Sequence, residues 1–210
     1  MNRTVLSCAL TLVAGSAASA NILVNGGFED MPNWNNGIGG DGSYTLLTGS
    51  TIPGWTVADG HGATIHNNPG AYPTISGAYS LNTDGEGFND HNVKIYQDFA
   101  SSQGMDYNIS YDWENWFTSD LPQLNISIVD TVNGGVLVNS AYGLSPGLHH
   151  ELFDFVGTGH PLRLTIEHIP ESGFNDNTFI VDNFEVTAVP APGAAAVLGL
   201  GGLVIGRRRR

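Results

Sequence analysis

An all-β fold, an antiparallel β-sandwich of the jelly-roll type, is what three observations predict for this chain of 210 residues. Short runs that alternate apolar and polar residues, or are wholly apolar, recur through its middle, each bounded by Gly, Asn, Asp, Ser or Pro. No stretch carries the 3.6-residue apolar period of a long amphipathic helix. About ten such runs fall within about 170 residues, a density that suits two sheets closing over one core.

The first element stands apart from that pattern. Arg3 supplies a positive charge, residues 5–14 form a mostly apolar run, and Ala18 and Ala20 are the small residues that signal peptidase reads. This is the three-part layout of a cleavable secretory signal peptide, residues 1–20, with cleavage expected after Ala20. The apolar run is about half of the ~20 residues that a membrane-spanning helix needs.

Strands are then expected at residues 22–24, 55–57, 63–66, 79–82, 93–99, 107–113, 124–129, 136–138, 152–156, 162–168 and 179–187. Turn signals separate them, among them Asn25-Gly26-Gly27, Pro53-Gly54, Asn133-Gly134-Gly135 and Pro146-Gly147. The Gly- and Asn-rich stretch 33–50 reads as a long loop. Alternation assigns faces, because successive strand residues point to opposite sides. Ile109, Tyr111 and Trp113 face inward, with Asn108, Ser110, Asp112 and Glu114 outward. Leu124, Ile126 and Ile128 face inward, with Asn125 and Ser127 outward; Leu162, Leu164 and Ile166 face inward, with Arg163, Thr165 and Glu167 outward. Polar outer faces carrying Asp112, Glu114 and Arg163 are candidate sugar-binding surfaces, or the ordinary wet side of a sandwich. Trp34 in the long loop and Trp116 beyond a strand end are the aromatic candidates for stacking on a sugar, with Tyr72 and Phe88 in loops beside them; packing is the alternative for each.

Charge narrows the function classes. Between residues 21 and 188 the only basic side chains are Lys94 and Arg163, against 20 acids, a formal charge of −18. Such a surface repels phosphate backbones, so no nucleic-acid partner is expected. It suits a cation-rich setting, bound Ca²⁺, or solubility alone. The one cysteine, Cys8, precedes the domain, which excludes thiol catalysis, Cys-ligated zinc and iron–sulfur chemistry there. No Gly-x-Ser-x-Gly, phosphate loop or His-Glu-x-x-His motif is present. His149 and His150 are adjacent on a strand and point to opposite faces, so they cannot chelate together. Pairs such as Asp112 and Glu114 arise by chance among so many acids, whereas glycoside hydrolysis needs two carboxylates about 5–9.5 Å apart across a bond. No catalytic residue is assigned. The acidic loop Asn82-Thr83-Asp84-Gly85-Glu86 has oxygens at alternate positions, but its twelfth residue is Val93 instead of Glu, leaving a loose Ca²⁺ site or a plain turn.

The chain closes on Pro190-Ala191-Pro192, then residues 193–206 composed only of Gly, Ala, Val, Leu and Ile, then Arg207, Arg208, Arg209 and Arg210. As a helix the apolar segment would be roughly 21 Å long, short of a ~30 Å hydrocarbon core. The arginines would stay cytoplasmic and the domain would face outward. Residues 189–210 resemble the PEP-CTERM sorting signal of Gram-negative bacteria, with Ala191 where the namesake motif has Glu. The resemblance implies an exosortase-type sorting protease, passage through the inner membrane with transient anchoring, and an association with extracellular polysaccharide.

Within residues 21–188 a second succession stands out. Asn21-Ile22-Leu23-Val24-Asn25-Gly26-Gly27-Phe28-Glu29 is followed by Ile52-Pro53-Gly54-Trp55-Thr56-Val57, Tyr79-Ser80-Leu81-Asn82, Ile95-Tyr96-Gln97, Gly104-Met105-Asp106-Tyr107-Asn108-Ile109-Ser110-Tyr111 and finally Phe179-Ile180-Val181-Asp182-Asn183-Phe184-Glu185-Val186-Thr187. The order resembles the galactose-binding-like jelly rolls, which include family 4/9 carbohydrate-binding modules. The resemblance implies that the first and last strands are neighbours and that acids there hold a structural Ca²⁺, here Glu29 and Asp182; plain solvation of both is the alternative. Ca²⁺ takes six to eight oxygens, so other groups must join them. The expected function is therefore an exported, non-catalytic protein that binds or organises polysaccharide. A structural matrix or adhesion protein and a glycoside hydrolase are the alternatives.

Overall fold

The computed structural model describes residues 20–31, 43–46, 51–67, 74–83, 93–115, 124–169 and 179–190. The chain divides into two units, Ala20–Val189 and a second made of Met1–Ser19 with Pro190–Arg210. The expected signal peptide, the apolar segment 193–206, Pro192 and the four arginines lie outside the described residues, as do Trp34, Tyr72, Phe88, Trp116 and the acidic loop from Asp84. Among the described residues no helix is long and apolar enough to cross a membrane.

Twelve strands form among the described residues. They are β1 (Ser43–Leu46), β2 (Thr51–Ile52), β3 (Trp55–Val57), β4 (Ala63–Asn67), β5 (Tyr79–Asn82) and β6 (Lys94–Ala100), then β7 (Asp106–Asn115), β8 (Leu124–Asp130), β9 (Val136–Tyr142), β10 (Gly147–Val156), β11 (Pro161–His168) and β12 (Phe179–Ala188). They make two six-stranded sheets, in the orders β1-β4-β5-β12-β7-β10 and β2-β3-β6-β11-β8-β9, with every strand pair antiparallel. From β5 to β12 the chain fills one sheet in the order β5-β12-β7-β10 and the other in the order β6-β11-β8-β9. That interleaving is the double Greek key of an eight-stranded jelly roll.

The inward residues of both sheets form one core. Ile109, Tyr111, Leu124, Ile126, Ile128, Leu162, Leu164 and Ile166 are fully buried and Trp113 nearly so, as alternation predicts. Aromatic rings bridge the layers: Trp55 of β3 meets Phe184 of β12 at 5.9 Å, and Phe99 of β6 meets Phe155 of β10 at 6.4 Å. Burying a Phe ring stabilises by about 1.5–3 kcal/mol, and truncating one to Ala in a packed core costs about 3–5 kcal/mol, so Phe184→Ala would damage the join between sheets.

Strand β12 breaks its own alternation, and a bulge accounts for it. Phe179 and Val181 face the core, yet so do Phe184 and Val186, which lie out of phase with them. The register against β7 shifts between Asp182 and Glu185, and Asn183 takes φ of 54°. An extra residue in the left-handed region resets the side-chain phase, and Asn accepts that conformation better than most. Asp182 is thereby left on the outer side of the sheet.

Two expectations change. Residues 22–24 are not a strand: Ile22 N donates to Val186 O at 2.8 Å, but Val24 N is taken by the Gln97 side chain at 2.7 Å and Asn25 turns away with φ of 53°. Side-chain amides have replaced a ladder. The stretch 33–50 is not wholly loop, since β1 lies in it and pairs with β4, Tyr44 opposite Ile65. Its Ser-Tyr-Thr-Leu run is β-prone but only four residues long, and a distant strand completes it.

Candidate functional site

The N-terminal segment packs beside the bulge of β12, and this places the two acids expected to act together. Gly26 O accepts from Phe184 N at 3.0 Å, and the Asn21 side chain bonds both Phe184 O and Val186 N. The Glu29 carboxylate accepts the backbone amides of Ala78 at 3.0 Å and Tyr79 at 3.2 Å. Asp182 is completely buried; its Oδ2 accepts from Ser80 Oγ at 2.9 Å and Ser76 N at 3.1 Å, and its Oδ1 from Asn183 N at 2.7 Å. Ser76 Oγ also donates to Asn183 Oδ1 at 2.9 Å.

Gly27 marks where these groups converge. A Cβ placed on it would lie 3.7 Å from Asp182 Oδ1, 3.9 Å from Asn183 Oδ1 and 4.0 Å from Glu29 Cγ. Burial, with a smaller contribution from the negative charge of Glu29, pushes the Asp182 carboxyl up to about 6 against its several hydrogen bonds. The two basic side chains of the domain are engaged elsewhere: Lys94 with Glu167 at 2.9 Å and Arg163 with Asp98 at 2.7 Å. The junction thus collects oxygen donors and negative charge with neither Lys94 nor Arg163 to balance them. Among the described residues no three His, Cys, Asp or Glu side chains cluster as metal ligands, so a cation here would draw on Asn183, Ser76 and backbone oxygens besides the two acids.

A second surface is the outer face of the sheet β2-β3-β6-β11-β8-β9. Register places Thr56, Tyr96, Thr165, Ser127 and Asn139 side by side across five strands. At ~4.8 Å per strand this row spans about 19 Å. Its centre is built: Arg163 donates to both Asp98 oxygens, at 2.7 and 2.8 Å, and its guanidinium lies 3.8 Å above the Tyr96 ring. Pairing with Asp98 raises the Arg163 pKa, so the fork stays charged. Asn125 and Asn139 are hydrogen-bonded at 3.2 Å, and Lys94 and Glu167 border the row on one side. The surface combines hydroxyls, amides, a ring and two ion pairs.

The structure separates candidates that sequence alone treated alike. Asp112 and Glu114 lie on β7, in the other sheet, so they face away from Arg163 on the opposite side of the sandwich. Asp112 is committed on both oxygens, to His150 Nδ1 at 2.6 Å and to the Asn183 side-chain amide at 2.7 Å. It therefore supports the bulge beside Asp182. His149 and His150 do diverge: His149 stacks on Trp113 at 4.2 Å while His150 meets Asp112.

No protein-family model matches this chain. No curated protein matches it either. Several solved structures resemble it in part, at low identity. One is TmCBM61 in complex with beta-1,4-galactotriose, at 14% identity and TM-score 0.45, covering 81% of this chain and 100% of that one. Another is the CBM22-1 xylan-binding domain from Paenibacillus barcinonensis Xyn10C, at 16% identity and TM-score 0.46, covering 73% and 99%. A third is the K1 cleaved adhesin domain of Lys-gingipain from Porphyromonas gingivalis W83, at 11% identity and TM-score 0.45, covering 70% and 99%.

One cluster escaped sequence reasoning. Trp113 Nε1 donates to Glu151 at 3.1 Å, Tyr142 lies 4.6 Å from Trp113, and the Tyr111 and Tyr142 hydroxyls share a hydrogen bond of 2.6 Å. Burial raises both phenols above their ordinary pKa, so they stay protonated. Glu151 sits on the inner side of β10 among aromatics, where alternation on its own predicts an apolar residue; the indole N–H is what makes it tolerable there.

Proposed function

We propose that the chain is an exported, non-catalytic protein whose sandwich binds extracellular polysaccharide on the outer face of the sheet β2-β3-β6-β11-β8-β9. The row from Thr56 to Asn139, with Tyr96 beneath Arg163 within it, is the observation that carries this reading. Hydroxyls and amides match the hydroxyls of a sugar chain. The ion pairs hold the long side chains in place, so binding need not order them. A glycan array probed with the purified protein tests this: retention on at least one polysaccharide is expected, and uniform absence of signal would contradict it.

Ca²⁺ is the proposed structural ion at the junction of Glu29 and Asp182. The donors are hard oxygens, as Ca²⁺ prefers, and Asp182 is buried, its hydrogen-bond partners among the described residues being Ser76, Ser80 and Asn183. Bound there, the ion would tie the N-terminal segment to the loop at Ser76 and to the bulge of β12. The ends of the chain complete the proposal: a signal peptidase would release residue 21 onward, and an exosortase-type protease would act at the segment from Pro190 through Pro192 to Arg210. The protein would be anchored briefly in the inner membrane and then delivered to the cell surface or matrix.

A further inference from the structure

The long edge strand β10 is built to pair with itself. It ends the order β1-β4-β5-β12-β7-β10, so one side of it bonds β7 and the other is paired with no described strand. Its ten residues pair with β7 without a register shift, and it contains no Pro, Lys or Arg. Natural edges are usually blunted by such residues, by bulges, by brevity or by an inward-pointing charge, and the one inward acid of β10, Glu151, is engaged by the Trp113 indole at 3.1 Å. This edge instead exposes Leu148, Leu152 and Val156 at 60%, 62% and 53%, all on the outer side, with His150 and Asp154 between them.

We infer that β10 is the interface of a homodimer, pairing antiparallel with β10 of a second copy about a two-fold axis at Leu152. In that register the outer row reads Leu152 opposite Leu152, Leu148 opposite Val156, and His150 opposite Asp154, each of the last two occurring twice. Apolar side chains meet apolar ones, and a carboxylate meets an imidazole. Centring the axis on residue 151 or 153 sets leucines against Asp154 or His150, and centring it on residue 154 sets Asp154 against itself. An odd offset puts outer residues against inner ones. His150 is already oriented, because its Nδ1 is held by Asp112, leaving Nε2 for the partner's carboxylate. Joined in this way, the two sheets become one continuous sheet of twelve strands. The pairing does not depend on glycan binding, since Tyr96 and Arg163 lie on the other sheet.

Sedimentation of the purified protein over a hundredfold concentration range tests the inference. The weight-average mass should rise toward twice that of the monomer, and Leu152→Lys, which sets two ammonium groups together at the axis, should remain monomeric and, at concentrations where wild type is also monomeric, melt at the same temperature. Oxidation of Leu152→Cys in a Cys8→Ser background should yield a covalent dimer, because directly opposed Cα atoms lie about 4.5–5.5 Å apart, within disulfide reach. Leu148→Cys in the same background should cross-link far more slowly, because residue 148 faces residue 156. A wild-type protein that stays monomeric throughout, a Leu152→Lys variant that dimerises as well as wild type, or equal cross-linking at the two positions would overturn it. So would a monomer in which the thiol at position 152 resists alkylation, since another part of the same chain would then cover the edge.

Discussion

Glu29 and Gly77 touch so closely that a Cβ on Gly77 would lie 2.0 Å from Glu29 Oε1. Gly77 has φ of 58°, which lets the loop before β5 offer the amides of Ala78 and Tyr79 to that carboxylate. Gly77→Ala meets both obstacles, a left-handed backbone and a displaced carboxylate. A loss of roughly 2 kcal/mol is expected, read as a melting temperature lowered by about 4–8 °C. Glu29→Ala removes the obstruction, so the double variant should lose less than the sum of the two single losses.

Gly26→Ala should be worse. Its Cβ would lie 1.9 Å from Phe184 O, a backbone atom in the bulge that cannot swing aside as a carboxylate can. Loss of soluble folded protein, or a melting temperature well below that of Gly77→Ala, is the expected outcome by thermal unfolding.

Asp182 gives the Ca²⁺ proposal a signature in pH. Its folded pKa is raised to about 6, so its favourable contribution is complete below the unfolded value near 3.9 and is lost as pH rises through about 6. In chelator the protein should therefore lose roughly 3 kcal/mol between about pH 4 and pH 7.5 from this group. Saturating Ca²⁺ should remove that decline and raise the melting temperature, and Asp182→Ala should show no response to Ca²⁺. Identical melting curves with Ca²⁺ and with chelator would remove the ion from the account.

Asp130 behaves in the opposite sense. It is fully buried at the β8–β9 turn, and although burial acts against ionisation, hydrogen bonds from His160, Thr158 and the amides of Val132 and Asn133 hold its carboxyl well below the usual carboxylate range. Its contribution is present above the unfolded value near 3.9 and is lost as pH falls toward the depressed folded value. Asp130→Asn should lower stability at neutral pH and flatten the acid limb of a stability–pH curve measured by urea unfolding.

The sequence carried most of the strand positions and far less of their assembly. Strands β3 and β5 begin and end where their alternation and flanking turns place them, and the inward residues of β7, β8 and β11 are those that alternation names. Alternation tells in from out, but it does not tell one sheet from the other. Asp112 and Arg163 both read as outward and polar, yet they belong to opposite faces. The partners of Glu29 left no mark in the sequence because they are backbone amides, which every residue except proline possesses. Tyr96 was overlooked since it alternates as an ordinary outward residue; what distinguishes it is Arg163 above its ring, a contact between strands about 70 residues apart.

The most direct measurement is the affinity of the purified protein for whichever polysaccharide it retains, compared between Tyr96→Ala on one outer face and Glu114→Ala on the other. At least a tenfold loss of affinity is expected for Tyr96→Ala, about 1.4 kcal/mol, with Glu114→Ala binding like wild type and both variants folded by circular dichroism. Unchanged binding by Tyr96→Ala would contradict the assignment of the glycan to the face β2-β3-β6-β11-β8-β9.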